Sequence, residues 1–499
     1  MKSRKILALI LTIAMVFGSF SMVAADTAAP EGGFADMPDN WSTAALNKAV
    51  GNGLLMGYTD GDQTLIKPDN PLTRAELAAV VNRAFASTSE ADISNVTDVA
   101  GTAWYAGDMA KAVKMGTFAL DTKMRPDDKI TRQEAFAVLA RAFKLTGTDA
   151  DYKALGKFTD KADIAAWALK DLDGLAAAGY VQGSAGKLNP KANITRAEFA
   201  VVMDNLVKQY IDEAGTVTEV VAAGNVMVRV AGVTLKDVTV KGDLIIADGV
   251  GEGDVTLDSV TVEGRTVVRG GGENSIIIKG NSDLGKIIVA KVDGVVRIVV
   301  EGNAGVEIIY VDDGPDDVIV EGTIGTLEVA GDNVTVTAVN AAITNGVVSG
   351  DNSKIILSQN STIQNESVEG NASEIVVVTP PSTGDGGSKT VSAVSAISVT
   401  GVAKVGETLT AKVTPTGATV NYQWMRADAE NGEYEDIDDA TNNTYELVAA
   451  DVGKYIKVKA TGTGDYRGTV ESEPMGPVVE TATFKPVDSI GIHDGKVYE

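Results

Sequence analysis

The chain of 499 residues has no cysteine and a single histidine, His493. Thiol nucleophiles, disulfides and thiolate metal sites are therefore excluded, and the fold has to hold by packing alone. One imidazole near the C-terminus leaves neither a His-based acid–base pair nor a His-ligated metal centre. Basic residues are scarce: 43 Lys and Arg face 68 Asp and Glu, for a net charge of −25. Such a surface repels nucleic acid and anionic membrane, so an anionic partner needs a local set of arginines. The deficit is uneven. The first 25 residues carry +3 and residues 26–212 a net −5, which leaves −23 on residues 213–499. Beyond the first 25 residues no apolar run approaches the ~18 residues of a membrane span. Aromatics also fall away, since Thr216 to Val378 contains no Trp or Phe and one Tyr, Tyr310. No Gly-x-Ser-x-Gly elbow and no phosphate loop is present.

What is there begins with an export signal. Lys2, Arg4 and Lys5 precede an apolar stretch from Ile6 to Phe20, and Val23-Ala24-Ala25 supplies small residues for cleavage before Asp26. The mature chain is expected outside the cytoplasm, with no membrane insertion after cleavage. Next, one phrase occurs in three copies: Thr73-Arg74-Ala75-Glu76, Thr131-Arg132-Gln133-Glu134 and Thr195-Arg196-Ala197-Glu198. Thr-x-x-Glu ahead of an apolar run is a capping box, so each copy opens a helix. Leu77, Val80, Val81, Ala84 and Phe85 fall on one helical face, and the residues after Glu134 and Glu198 repeat those offsets. The box leaves the Arg unexplained, because a cation in the first turn opposes the helix dipole. Upstream of each phrase stands an x-Asp start and a Trp: Asp36 with Trp41, Asp98 with Trp104, Asp160 with Trp167. Units of about 60 residues, each too small for its own core, point to a helical repeat array.

On these motifs residues 34 to about 212 resemble three tandem S-layer homology (SLH) motifs, at 26–88, 89–149 and 150–212. The resemblance implies an anchor that holds a secreted protein to a pyruvylated secondary cell-wall polysaccharide in grooves between motifs, on the surface of a Gram-positive-type bacterium. Arg74, Arg132 and Arg196, beside free amides at helix N-termini, would take the ketal carboxylate. Trp41, Trp104 and Trp167 would stack on sugar faces or anchor the core. Asp36, Asp98 and Asp160 would accept sugar hydroxyls or cap the following helix. The second copy departs from the pattern, with Gln133 for Ala and Leu120 where the first and third copies have Gly57 and Gly183. It is therefore expected to bind least, the first and third copies carrying most of the affinity.

After Gly215 the texture changes to short β-branched runs separated by Gly, Asp and Asn, with strict alternation often lost. Strands of even spacing and coils of about 20 residues predict a parallel β-solenoid over 216–378, roughly 40 Å long for eight rungs. It resembles a right-handed parallel β-helix. Asp312, Asp313, Asp316 and Asp317 cluster around Gly314-Pro315, a solvated turn or, less simply, a calcium or sugar-cleaving site; no cofactor is otherwise implied. Residues 379–390 are a Pro/Gly/Ser linker. Residues 391–478 read as a small sandwich similar to bacterial immunoglobulin-like domains, with Trp424 in a core strand and Tyr455 at a tyrosine corner. A tail, 479–499, follows. The expected fold is thus multidomain: a helical three-repeat anchor, an all-β solenoid and a β-sandwich. The expected function is a non-enzymatic surface protein that displays a β arm for self-assembly or for a surface ligand. A wall-anchored polysaccharide lyase or hydrolase is the alternative, and an adhesin differs from the first only in its partner.

Overall fold

The computed structural model describes residues 33–480 except 148, 313–317, 359, 378–391, 395, 415–417, 438–439 and 464–465, together with strands at Gly491–His493 and Lys496–Tyr498. The expected signal segment, the linker, Asp313, Asp316 and Asp317 lie outside the described residues. The chain forms two compact units, Met1–Pro381 and Ser382–Glu499.

Each repeat contributes two helices: α1 Thr43–Gly51 and α2 Arg74–Phe85, α3 Ala106–Lys114 and α4 Arg132–Ala142, α5 Leu169–Ala177 and α6 Arg196–Leu206. All three capping boxes form, with Thr73, Thr131 and Thr195 accepting from the Glu amide and the Glu side chain accepting from the Thr amide. Helices pair across repeats: α2 packs on α3, α4 on α5, and α6 returns to α1. The array is therefore a closed ring. At its centre Ile130 N–H donates to Leu72, Ile194 to Ile130 and Leu72 to Ile194, at 3.0, 3.1 and 3.0 Å. Around that triangle the predicted faces are buried, including Leu77, Val81, Phe85, Leu139, Phe143, Phe199 and Met203, with Phe85 and Phe143 edge to face.

The parallel path starts at Gln209–Ile211, ahead of the expected 216, and runs for about eight turns. On one side Val226–Val228, Leu244–Ile246, Arg265–Val268, Lys286–Val289 and Ile308–Val311 stack in register. In the early rungs the middle residue leaves the solenoid. Met227, Ile245 and Val267 belong to the helical core, while Val226, Val228, Leu244, Ile246 and Val268 line the solenoid's own. A strand buried on both faces reads as a continuous apolar run, which accounts for the lost alternation.

Polar contacts follow the same seam. Arg229 donates to the carbonyls of Asn52 and Arg83, Arg265 to those of Phe143 and Lys144, and Arg269 to those of Met115 and Ala142. These carbonyls end helices α1 to α4, where orphaned acceptors and the negative dipole end favour a cation. Asp212, Asp243 and Asp248 pair with the three arginines from the solenoid side. The solenoid thus lies against the helical ring instead of projecting from it.

The second unit is an antiparallel sandwich. Strands Ala396–Thr400, Thr408–Thr414 and Thr444–Glu446 form one sheet; Val420–Ala427, Glu435–Asp436, Tyr455–Gly462 and Thr469–Glu471 form the other. Trp424 is fully buried and stacks on Tyr445. The expected corner residue, Tyr455, gives way to Asp451. That buried carboxylate accepts from Arg426, from the Tyr445 hydroxyl and from the Val448 amide, at 2.9–3.0 Å.

Candidate functional site: three boundaries between repeats

The amides expected to be free at the helix N-termini are engaged. Arg74 and Ala75 N–H donate to Asp128 and Pro126, Arg132 and Gln133 to Ala192 and Pro190, Arg196 and Ala197 to Asn70 and Pro68. The third amide of each helix is taken by the capping Thr. A carboxylate therefore has no helix N-terminus to sit on, and that part of the expected pocket is corrected. The acceptors all belong to the neighbouring repeat, so the helix starts join the ring.

Each Arg side chain crosses the same boundary. Arg74 Nε donates to Met124 O, Arg132 Nε to Leu188 O and Arg196 Nε to Ile66 O, each at 2.8 Å. The same residues are held from the other side by the Asp of their own repeat. Asp98 accepts from Met124 and Arg125, Asp160 from Leu188 and Asn189, Asp36 from Ile66 and Lys67, at 2.6–2.9 Å. The second residue of each pair is left-handed, with φ of 51°, 53° and 50°. A carboxylate gripping two successive amides steadies that uncommon conformation. None of the three Asp caps the following helix, which corrects the capping reading. At Asp98 and Asp160 desolvation raises the pKa, but backbone amides, the residue's own included, and a nearby lysine together outweigh it and hold each carboxyl below its ordinary value.

The three boundaries are built alike, with Met124, Leu188 or Ile66 held between Arg and Asp, but their guanidinium groups differ. Arg74 Nη1 meets Glu134 at 3.2 Å, and Arg132 Nη1 meets Glu198 at 2.7 Å. The capping Glu therefore serves its own helix through one oxygen and the preceding repeat's Arg through the other. Burial lowers the Arg74 pKa, with Glu134 opposing. Among the described residues Nη2 of Arg74 and of Arg132 has no protein acceptor, and their side chains are 15% and 12% exposed. Arg196 is 4% exposed and fully engaged, with Nη1 on the Tyr58 hydroxyl at 3.1 Å and Nη2 on Met56 O at 2.5 Å. The Tyr58 hydroxyl donates in turn to Glu76.

The tryptophans are surface groups. Trp41, Trp104 and Trp167 are 66%, 56% and 53% exposed, so the core-anchor reading is corrected. Each precedes or opens the first helix of its repeat, and Trp104 has Tyr105 edge-on at 5.4 Å. The turn glycines serve packing: a Cβ on Gly57 would lie 2.2 Å from the Phe34 ring, and one on Gly183 2.4 Å from Lys187 O. Leu120, at their place in the second repeat, points to solvent, and Gln133 accepts the Ala165 amide. Sequence reasoning missed the crossing Glu and Tyr58. The Glu was already assigned to its cap, and nothing local shows that its second oxygen faces another repeat.

Elsewhere, Asp312 pairs with Lys144 at 3.0 Å. Among the described residues no three Asp, Glu or His side chains converge as metal ligands, and no helix is long and apolar enough to cross a membrane.

Residues 33–78, 97–136 and 157–200 match the S-layer homology domain. The surface-layer 125 kDa protein of Lysinibacillus sphaericus is 32% identical over 248 residues, 48% of this chain and 20% of that protein. The S-layer protein sap of Bacillus anthracis is 29% identical over 217 residues, 43% of this chain and 25% of that one. An amylopullulanase of Thermoanaerobacterium thermosulfurigenes is 32% identical over 179 residues, 35% of this chain and 10% of the enzyme. The chain spans a quarter or less of the length of these relatives. With three S-layer homology domains closed into a ring and backed by a parallel β-solenoid, this chain is a secreted protein of the cell surface.

Proposed function

We propose that the protein is a non-enzymatic surface protein held to the wall by an acidic secondary polysaccharide, whose pyruvate-ketal carboxylates bind at the boundaries between repeats. The observation that carries this reading is that the helical ring offers both spare guanidinium donors and exposed indoles. Arg74 and Arg132 each keep Nη2 at a boundary whose next repeat also presents an open Trp. A guanidinium fork recognises a carboxylate, and an indole face recognises the apolar face of a sugar ring. The −23 on residues 213–499 repels a polyanion from the rest of the chain, which favours attachment at the ring. The solenoid and the sandwich, read as immunoglobulin-like, are the displayed part. The small number of aromatics on the solenoid supports display over sugar cleavage, although enzymes such as the amylopullulanase share the anchor-bearing similarity.

The test is co-sedimentation of the full chain with purified walls, before and after chemical removal of the pyruvate ketals. Binding to intact walls should be lost both on ketal removal and in the triple Trp→Ala variant of residues 41, 104 and 167. Equal binding to walls with and without ketals would overturn the reading.

A further inference from the structure

The three boundaries obey one design until the Tyr58 position is reached. Gly53, Gly116 and Gly179 all end the first helix with positive φ. Five residues after each comes Tyr58, Asp121 or Ser184. Only the tyrosine reaches its boundary arginine. Its ring lies under Arg196, with the guanidinium carbon 4.8 Å from the ring centroid, and its hydroxyl takes Nη1. That same hydroxyl donates to Glu76, the carboxylate that corresponds to Glu134 and Glu198. Met56 O takes the remaining Nη2. All three arginines lie over an aromatic ring, Phe118, Phe136 and Tyr58 in turn, so the difference lies in the hydrogen bonds: a ligand carboxylate at this boundary would have to displace those to the Tyr58 hydroxyl and Met56 O from a buried Arg196. At Arg74 and Arg132 it would find an unpaired Nη2.

Resting on the wall-polymer reading, we infer that Tyr58 is a specificity-determining residue. It closes the boundary between the third and first repeats, so that acidic glycan is taken only at the Arg74 and Arg132 boundaries. The expected weakest copy thereby changes from the second to the third: the intact signature at Arg196 belongs to the closed boundary. Closure has a physical use. The Arg196 boundary joins the two ends of the repeat array, where no peptide link holds the neighbours together. A boundary filled by Tyr58 keeps the ring shut without a ligand.

The test is calorimetry of the full chain with a pyruvate-ketal oligosaccharide cut from the wall polymer. The parent should bind at two sites, and Tyr58→Ser, which installs the residue of the third repeat, should bind at three. Tyr58→Ser combined with Arg196→Gln should return to two. Arg74→Ala and Arg132→Ala should each lower affinity at one site by about 10- to 150-fold. A second measurement needs no variant: modification of the parent by phenylglyoxal, mapped by mass spectrometry. Arg74 and Arg132 should react and be shielded by the oligosaccharide, and Arg196 should resist with or without it. Three sites in the parent, shielding of Arg196 by the oligosaccharide, or a folded Tyr58→Ser that still binds at two, would overturn the inference and leave the wall-polymer reading intact. No binding to any form would sink that reading, and this inference with it.

Discussion

Replacing Arg269 by Leu tests whether ring and solenoid are one cooperative body. The side chain is 0% exposed, and its partner Asp248 is 8% exposed. It also lies over the Phe85 ring of the first repeat and donates to Met115 and Ala142, at the ends of both helices of the second. Removing one member of a buried pair leaves the other charge without compensation, at a cost of about 3–5 kcal/mol. Leucine recovers part of the packing, so the lower half of that range is expected. At 1.4 kcal/mol per decade the global opening constant should rise about a hundredfold or more. Hydrogen exchange read by mass spectrometry separates the segments. Protection should fall together in α2, α4 and the rungs Leu244–Ile246 and Arg265–Val268, with the sandwich unchanged. Adding Asp248→Leu should restore most of the loss, because the stranded carboxylate is then gone. Loss confined to the solenoid with the helices untouched, or a cost below the ~1 kcal/mol of an exposed pair, would refute the reasoning.

Three further outcomes follow from the same geometry. A chain ended at residue 212 exposes the helical-core positions filled by Met227, Ile245, Ala247 and Val267; at about 1.5–3 kcal/mol for each larger side chain, it should melt well below the full chain in calorimetry. Asp98 and Asp160 have depressed pKa values in the fold, so their contribution is present above the unfolded value near 3.9 and lost as pH falls through the folded one; Asp98→Asn should lower the urea midpoint at pH 7, and the gap from the parent should shrink below about pH 4. In the sandwich, Asp451→Ala strands Arg426 and the Tyr445 hydroxyl; allowing for the partly exposed Arg426, a loss of about 2–4 kcal/mol is expected in the transition of the second unit alone, with wall sedimentation unchanged.

What could be read from the sequence was whatever is decided within a few residues. Thr73 and Glu76 are one helical turn apart, so their reciprocal cap is a local event, and the buried helix faces follow from a period of 3.6. The exposure of Trp41, Trp104 and Trp167 could not be read, because a repeated Trp has the same spacing in a core as on a rim. The direction of Arg74 was hidden as well: its acceptors, Met124 and Glu134, lie 50 and 60 residues away in the next repeat. The docking of the solenoid leaves a trace, the loss of strict alternation, which in the sequence points only to a solenoid. Val226-Met227-Val228 and Leu244-Ile245-Ile246 are apolar throughout, whereas Thr335–Val348 alternates buried and less buried positions. Unbroken apolar strands mark burial on both faces, but the sequence does not say which element covers the second face.

The triangle of hydrogen bonds joining Leu72, Ile130 and Ile194 fixes the number of repeats. Each repeat offers one edge and accepts another, a head-to-tail association that ends either in a ring or in an open filament. Here the turn between neighbours is one third of a circle, and the chain of donors returns to its first member. Two copies would leave a donor edge and an acceptor edge facing water, and a fourth would need a different angle at every junction. A single repeat added to or lost from such a unit would therefore open the ring, and an extension that keeps it closed has to add a second ring of three.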